Sequence, residues 1–189
     1  MGSFHTEEEL KKIGFKSIGK NVLISRLTSI YNPQNIIIGN NVRIDDFCIL
    51  SGKIELGNNI HISAGSFLFA GEAGIKMMDF SGLSSRCAIY AVSDDYSGQA
   101  MTMPIIPEHF RKVTEKSVTL GKHSLIGTGT TILPGANVAE GTAVGAMSLV
   151  IEPTQPWKIY VGIPARPIKD RNKNILELEK QYLTEYDCK

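Results

Sequence analysis

The chain has 189 residues and a formal net charge of +1, which fits one domain with a short appendage. Hydrophobic residues make up 42% and charged residues 21%, a composition that excludes intrinsic disorder. The balanced charge argues against a general nucleic-acid binder, and no apolar run is long enough to span a bilayer. The start lacks the pattern of a signal peptide and the three cysteines form no disulfide framework, so we expect a cytoplasmic protein without membrane insertion.

The first predicted element is a short helix. Thr6 is followed three residues later by Glu9, the spacing of a capping box, in which the side chain of each residue accepts a hydrogen bond from the backbone of the other. The sequence therefore predicts a helix from this motif through Lys12.

From residue 18 onward, aliphatic residues recur every six positions. The three series are Ile18, Ile24, Ile30 and Ile36; Ile38, Ile44, Leu50, Leu56, Ile62 and Leu68; and Leu120, Ile126, Ile132, Val138, Val144 and Val150. A period of six fits neither an α-helix nor a flat strand. It fits a chain that turns a corner once per hexapeptide and points one aliphatic side chain inward each time. Glycine often follows the aliphatic residue, and glycine and asparagine supply unusual φ angles at corners.

A longer period gives the number of faces. The pattern aliphatic-x-aliphatic ends in turn at Ile38, Leu56, Met77 and Leu120. The steps between successive ends are 18, 21 and 43 residues. Eighteen is three hexapeptides, so each turn has three faces, and the surplus residues of the longer steps fall before the same face. The sequence therefore predicts three insertions at one corner of a triangular prism, at residues 31–35, 70–74 and 92–116.

The last predicted element is a second helix. Apolar residues at helical spacing over 174–186 predict an amphipathic helix that docks either on a partner or on its own prism. We expect an N-terminal helical segment at 1–17, a β-helix domain at 18–170 with a loop at 92–116, and a C-terminal helix at 171–189. Cys48 and Cys87 fall on one face two coils apart, which is too far for a disulfide.

The stretch from Leu120 to Ile151 resembles the signature of the hexapeptide-repeat acyltransferases. Residues 156–169 and the loop 92–98 look like the galactoside and maltose acetyltransferase branch, closest to members that act on sugars of bacterial surface polysaccharides, including lipopolysaccharide biosynthesis. The resemblance implies an all-β fold, a left-handed parallel β-helix with a long protruding loop and a C-terminal α-helix. It also implies a homotrimer, with acetyl-CoA and the sugar acceptor bound between adjacent subunits. Such an assembly would bury the exposed faces of the prism.

Acyl transfer from a thioester requires an acceptor held in attack geometry and a group that takes its proton. In the galactoside branch that group is a histidine in the long loop, and Asp95 stands at the matching position here, beside Asp94. His61 is the second candidate base, because similar sugar acetyltransferases often carry a histidine there. The alternative for the two aspartates is a solvated turn, and for His61 a surface histidine between two strands.

The missing loop histidine favours an amine over a hydroxyl as the acceptor. A sugar amine with a pKa of about 8 is partly neutral near pH 7, and a carboxylate can orient the ammonium form and receive its proton through water. Glu72, in the second insertion near Asp94, and Asp46, at a corner, are candidate ligands of the acceptor. The sequence leaves open the sugar and whether nitrogen or oxygen is acylated.

Family matches for the cofactor fall on five residues. They are Thr128, Ala146 and Ile151, along one groove, and Arg166 and Lys169, near the nucleotide end. The small residues let the pantetheine arm approach the backbone, and the two cations suit a phosphate. Glu152 departs from the family pattern, since relatives tend to have lysine there. The alternative for the two cations is a solvated tail.

The sequence thus predicts an acetyl-CoA-dependent acetyltransferase acting on a sugar, either an amino sugar or a nucleotide-linked sugar. The alternatives are a galactoside-type O-acetyltransferase, transfer to serine or a xenobiotic, and a non-catalytic trimeric β-solenoid scaffold. Another class on this prism is the γ-class carbonic anhydrase, which needs three converging histidines on zinc. Because His61, His109 and His123 lack its paired spacing, we expect no metal.

Overall fold

The computed structural model describes residues 3–186, and most of its elements are short strands. The strands in chain order are β1 (Ser17–Ile18), β2 (Leu23–Ile24), β3 (Ser29–Tyr31), β4 (Ile36–Ile38), β5 (Val42–Ile44), β6 (Ile49–Leu56), β7 (Ile60–Ile62), β8 (Phe67–Met77), β9 (Gly82–Leu83), β10 (Ala88–Tyr90), β11 (Val92–Ser93), β12 (Thr114–Glu115), β13 (Val118–Leu120), β14 (Leu125–Ile126), β15 (Thr131–Ile132), β16 (Ala143–Val144), β17 (Leu149–Val150), β18 (Lys158–Val161) and β19 (Arg166–Asp170). The helices are α1 (Glu7–Ile13) and α2 (Ile175–Tyr186), and single 3₁₀ turns lie at Pro33–Asn35 and Glu108–Phe110.

The strands wind into a three-sided parallel β-helix of about seven turns, which confirms the predicted fold. The first face carries β1, β4, the second halves of β6 and β8, and β13. The second face carries β2, β5, β7, β9, β14, β16 and β18, with β19 antiparallel at its end. The third face carries β3, the first halves of β6 and β8, β10, β15 and β17.

The core is a column of aliphatic side chains inside the prism. No member of the two six-residue series that begin at Ile38 and Leu120 is more than 2% exposed. Ile18 and Ile30 in the first turn are only partly buried, because they lie at the end of the stack. The predicted inward positions are therefore confirmed, and burial of each such side chain stabilises the fold by about 1.5–3 kcal/mol.

The glycines that follow the aliphatic residues have a different role from the one predicted. Gly39 is not among the residues with positive φ. Instead, a Cβ on Gly39 would come within 2.4 Å of the carbonyl oxygen of Gly57 in the next turn. The unusual φ angle is adopted two residues later, at Asn41 (56°). Close stacking of turns therefore requires the glycine, and the corner conformation is adopted by the asparagine.

All three insertions lie between the third and first faces, as predicted, and we call this border the insertion edge. The first insertion separates β3 from β4, and the second is a bulge within β8 opposite Gly52 of β6. The third is an excursion at 92–116, whose base is a hairpin of β11 and β12. Gly71 of the bulge lies so close to this hairpin that a Cβ would approach Val92 Cγ1 to 2.2 Å.

Helix α2 lies along the border between the first and second faces, which we call the helix edge. The Tyr182 hydroxyl donates to Asn59 Oδ1 at 3.1 Å, and the Tyr182 ring packs edge-on against Phe80. Glu179 accepts from His123 Nε2 at 2.8 Å and pairs with Lys122 Nζ at 2.5 Å. The sequence left two docking partners open, and the helix packs on its own prism. Residues 187–189, at the end of the predicted segment, lie outside the described residues.

The remaining local predictions agree with the structure. Thr6 and Glu9 form both hydrogen bonds of the capping box, and α1 extends one residue beyond Lys12. Cys48 and Cys87 are buried and unpaired, and burial raises the pKa of both thiols. Within residues 3–186, neither helix has the length and apolar character needed to cross a membrane.

Candidate active site

The two aspartates at the start of the excursion differ in their surroundings. Both carboxylate oxygens of Asp95 accept hydrogen bonds from the Ser97 hydroxyl, at 2.8 and 3.0 Å. The backbone N–H groups of Gln99 and Ala100 donate to Oδ2 at 2.9 and 3.1 Å. The hydrogen bond from Ser97 is the main reason that the pKa of Asp95 lies below its ordinary value. Asp95 therefore folds the loop, and its lowered pKa makes it a weak proton acceptor.

Asp94 has the opposite character. It is exposed directly after β11, and no donor within residues 3–186 forms a hydrogen bond with its carboxylate. The Ser93 hydroxyl bonds only to the Asp94 backbone carbonyl, at 3.2 Å. Of the two predicted aspartates, Asp94 is thus the one whose carboxylate is free to contact a substrate.

His61 projects from the second face and belongs to a charged group of three. Its Nε2 lies 2.8 Å from Asp45 Oδ2, and Arg43 Nε donates to Asp45 Oδ1 at 2.7 Å. Partial burial tends to raise the pKa of Asp45, but the hydrogen bonds and charges of Arg43 and His61 outweigh it and lower the pKa. An ionised Asp45 favours the tautomer in which Nε2 carries the proton, which leaves Nδ1 as the ring nitrogen able to accept one.

Sequence reasoning did not link Asp45 to His61. The signal was present, because Arg43 and His61 are 18 residues apart and therefore occupy the same position in successive turns. The structure pairs them directly in the register of β5 and β7. Asp45, two residues after Arg43, then lies within reach of both side chains.

A single chain does not bring His61 and Asp94 together. His61 lies on the second face, whereas Asp94 lies at the insertion edge. In a three-sided prism the edge between the third and first faces is opposite the second face. The two candidate bases therefore face different directions, and only a neighbouring copy could place them at one site.

The two predicted acceptor ligands also lie apart. Asp46 follows the second face and accepts a hydrogen bond from the buried Ser25 hydroxyl at 2.5 Å. Glu72 lines a groove of about 330 Å³ on the first face, together with Lys16 and Lys53. Glu72 is close in sequence and space to the hairpin that carries Asp94, but Asp94 does not line this groove.

The five predicted cofactor residues lie in the last turns. Thr128 and Ala146 occupy successive turns at the border between the second and third faces, where the Met147 N–H donates to the Thr128 carbonyl at 2.8 Å. Ile151 lies at the opposite border of the third face, after β17. Arg166 and Lys169 are exposed on β19. Arg166 lies 3.9 Å from Glu152, the residue that departs from the family pattern.

His109 and His123 do not converge on His61. His123 is buried on the helix edge and bonded to Glu179, and His109 packs against Phe110 in the excursion. In the described part of the chain, no three His, Cys, Asp or Glu side chains are grouped in a way that could hold a metal ion.

Known proteins match this chain over most of its length. The Escherichia coli dTDP-4-amino-4,6-dideoxy-D-glucose acyltransferase is 43% identical over 179 residues, which is 93% of each chain. AntD, an N-acyltransferase from Bacillus cereus solved with dTDP and 3-hydroxybutyryl-CoA, is 53% identical with a TM-score of 0.96, over 99% of this chain and 100% of AntD. WbbJ of Escherichia coli K12, a putative lipopolysaccharide biosynthesis O-acetyl transferase, is 25% identical over 80% of this chain and 77% of WbbJ. No protein-family model matches.

The three-sided prism, the excursion and these relatives define the class. The chain belongs to the hexapeptide-repeat sugar acyltransferases, as predicted. It is an enzyme that transfers an acyl group from an acyl-CoA, and this prediction is also confirmed.

Proposed function

We propose that this enzyme acylates the amino group of a nucleotide-linked amino sugar, with a dTDP-linked 4-amino-4,6-dideoxyhexose as the acceptor. The observation that carries the proposal is the match to AntD over nearly the entire length of both chains. A variant of AntD in which Ser84 is replaced by cysteine has been crystallised with dTDP-4-amino-4,6-dideoxyglucose and coenzyme A. The related Escherichia coli enzyme is named for the same sugar nucleotide.

The AntD structures also support a role for Asp94. They include variants in which Asp94 is replaced by alanine or asparagine and variants in which Ser84 is replaced by alanine, cysteine or threonine. This chain has an aspartate and a serine at the same numbers. Its Asp94 is the carboxylate left free by the local fold, whereas Asp95 is occupied by its own loop.

Acylation of an amine does not require a strong general base to remove the proton from the nitrogen. The amine nitrogen forms a bond to the thioester carbonyl carbon, the carbon–sulfur bond breaks, and one proton leaves the nitrogen for solvent or the departing thiolate. Because the amine is partly neutral near pH 7, a carboxylate at Asp94 can hold the ammonium form in place and accept its proton through water. An imidazole in the excursion is then unnecessary, which fits an aspartate pair where the galactoside branch has histidine.

Ser84 is a further candidate that sequence reasoning missed. It follows β9 at the border between the second and third faces, and its N–H donates to the Ile126 carbonyl at 2.8 Å. Ser84 and Asp94 therefore lie at opposite ends of the third face in one turn. A serine at a hexapeptide corner is indistinguishable from the small residues needed there for packing, so the sequence carried no separate signal for it.

The donor is expected to bind along the last turns. Stacked Thr128 and Ala146 present small side chains, beside which a pantetheine arm can approach the backbone. The Thr128 hydroxyl is already used, since it donates to the Ser85 carbonyl at 2.6 Å. Exposed Arg166 and Lys169 supply cations for the nucleotide phosphates, and Glu152 reduces that positive charge.

We also propose a homotrimer, supported by where the surface is apolar. Large apolar side chains are exposed at the border between the second and third faces, which we call the apolar edge; they are Leu27, Phe47 and Met147, and Phe47 is 64% exposed. The first face instead carries the ion pair of Lys76 and Glu55. A threefold arrangement with the apolar edge turned toward its axis covers this strip, keeps the donor groove beside Thr128 and Ala146 open to the cleft between two copies, and leaves the first face in solvent.

In this arrangement, residues of two neighbouring copies would form each active site. Around such an axis, the second face of one copy opposes the third face of the next. The insertion edge of the second copy then lies beside the second face of the first. Asp94 of one copy and His61 of its neighbour would thus border one cleft, although they point apart within a chain.

A second candidate reaction is O-acylation, and the His61–Asp45 pair favours it. A hydroxyl is a weak acid and needs a positioned general base, and His61 is a histidine whose ring is hydrogen-bonded to a carboxylate. In this alternative Asp45 orients the imidazole, and Asp94 contacts only the sugar.

A comparison of two acceptors tests the main proposal. The enzyme is incubated with acetyl-CoA or 3-hydroxybutyryl-CoA and with either dTDP-4-amino-4,6-dideoxyglucose or a simple galactoside, and thiol release is measured. We expect turnover with the amino sugar only, and a product that resists hydroxylamine because it is an amide. Faster turnover with the galactoside, or a hydroxylamine-labile ester, would support O-acylation instead. Light scattering gives the subunit number.

We further place the protein in a reducing compartment, in a pathway for surface polysaccharides. Two free, buried thiols are compatible with a cytoplasmic environment, and WbbJ is a relative associated with lipopolysaccharide biosynthesis.

A further inference from the structure

The helix edge contains an apolar groove that the reaction does not use. It has a volume of about 370 Å³ and lies between α2 and the prism, lined mainly by Ile175, Leu178, Tyr182 and Phe80. The ion pair of Glu179 with Lys122 and His123 holds α2 against the prism on one side of it. Leu178, which borders the groove, remains 54% exposed. The groove is therefore preformed and open to a partner.

The excursion presents side chains of matching character. Met101, Met103 and Ile105 are all more than half exposed, and Ile105 is 85% exposed. They lie in the distal part of the excursion, ahead of the 3₁₀ turn at Glu108–Phe110. A group of apolar side chains this exposed on one segment is typical of a surface that contacts another protein.

Cyclic symmetry places these two surfaces side by side. In the proposed trimer the helix edge of one copy and the insertion edge of the next form the two sides of the same outer seam. Rotation about an axis parallel to the prism involves no shift along it, so equal turns of the two copies face each other. Phe80, in the wall of the groove, belongs to the turn that continues through β9 and β10, and the excursion leaves the prism directly after β10.

We propose that the groove between α2 and the prism receives the apolar tip of the excursion from the neighbouring copy, with Ile105 as the main inserted side chain. The inference rests on the proposed trimer. It gives α2 a function, which is to hold the neighbour's excursion and thereby the position of Asp94 at its base. The ion pair at Glu179 stabilises α2 in the position that forms the groove.

Disulfide cross-linking between two differently tagged copies tests this contact. One copy carries Leu178→Cys, the other carries Ile105→Cys, and both carry Cys188→Ser so that the only native thiols are the two buried ones. The full chains are co-expressed, oxidised and run on a non-reducing gel. We expect a covalent dimer that contains both tags and disappears on reduction. Because both positions are exposed, neither substitution should prevent folding.

The matched control pairs Ile105→Cys with Glu55→Cys on the first face, which is exposed but polar and faces solvent in the proposed trimer. We expect no cross-link from this pair. Light scattering on the same samples separates the two proposals. A trimer without the Leu178 cross-link overturns the groove contact and leaves the trimer standing, and a cross-link of equal yield at Glu55 also overturns the contact. A monomer overturns the trimer itself.

A second measurement tests the energy of the contact. Leu178→Glu introduces a charge into the groove and should raise the concentration at which the trimer dissociates by at least about tenfold, the equivalent of losing one buried leucine contact. Lys180→Glu, on the same helix but outside the groove, should leave dissociation unchanged. Equal effects of the two variants would contradict insertion into the groove.

Discussion

The stacked turns of the prism and the excursion at 92–116 are built on different principles. Each turn of the prism is held by a buried aliphatic column and by backbone hydrogen bonds to the turns above and below. The excursion is held at its base by the short hairpin of β11 and β12, whose strands have two residues each, and by the hydrogen bonds of Asp95 and a few backbone contacts. Several of its apolar side chains are exposed. The prism therefore determines stability, whereas the excursion carries Asp94, the proposed contact to the acceptor, so substitutions in the two regions should affect different measurements.

The largest expected effect is on the stability of the prism. Leu50 is fully buried in the column, and Leu50→Ala should lower the free energy of unfolding by about 3–5 kcal/mol because it leaves a cavity between stacked turns. Tyr96, in a bend of the excursion, is 94% exposed, and Tyr96→Ala should change stability by less than about 0.5 kcal/mol. Urea denaturation at one protein concentration measures both. Similar losses would remove the proposed division between the two regions.

Substitution of Asp94 tests the role of the excursion in the reaction. Asp94→Asn keeps the shape of the side chain but removes its charge, and it should lower kcat/KM for the amino sugar about 100-fold or more with an unchanged thermal midpoint. Asp95→Asn should cost less activity and should instead make the excursion more sensitive to proteolysis, because the asparagine amide replaces an acceptor oxygen of the loop. A greater loss of activity from Asp95→Asn would reverse the assignment.

Those two aspartates also show where sequence reasoning ends. They are adjacent in the sequence and have the same chemistry, and the family alignment favoured Asp95. What separates them is the conformation of residues 95–100, in which backbone N–H groups turn toward Asp95. The repeat does not encode that conformation, because it depends on loop geometry without a period.

The prism itself could be predicted because its signal is repeated many times. The inward positions and the single insertion edge follow from counting, since one register error would expose an entire series. Contacts between turns could also have been predicted from the period, as the pairing of Arg43 with His61 shows. The docking of α2 could not be predicted, because an amphipathic helix can pack on any apolar surface. Its position here depends on the contact of Glu179 with Lys122 and His123.

Helix α2 gives a smaller and more local effect. Glu179→Gln leaves Lys122 and His123 without their anion, and it should reduce hydrogen-exchange protection of α2 about tenfold, or about 1.4 kcal/mol, without changing the protection of the prism. Burial tends to raise the pKa of Glu179, but Lys122 and His123 lower it overall. The stabilisation is therefore present above the ordinary carboxyl pKa and is lost as the pH falls through the lowered value.

A nearby glutamate provides the control for this variant. Glu177, on the same helix, is exposed and pairs only with Lys180 on the surface. Glu177→Gln should change protection by less than about 0.5 kcal/mol. If both variants release α2 equally, the helix is held by its apolar face and not by the ion pair.

The smallest expected effect concerns α1, which the buried side chain of Leu10 and an ion pair with Arg26 hold against the first turn. Arg26 donates two hydrogen bonds to Glu9, at 2.9 and 2.6 Å, and these bonds are the main reason that the pKa of Glu9 falls from 4.5 to about 2. A lowered pKa in the folded state stabilises the fold above pH 4.5, and this contribution disappears as the pH falls toward 2. Glu9→Gln should therefore slightly lower the thermal midpoint at pH 7 and have no effect near pH 2. Glu8→Gln, one residue earlier in the same helical turn, should show no such pH dependence. A difference that persists near pH 2 would mean that Glu9 acts through the helix cap alone, and that α1 is joined to the prism by packing and not by charge.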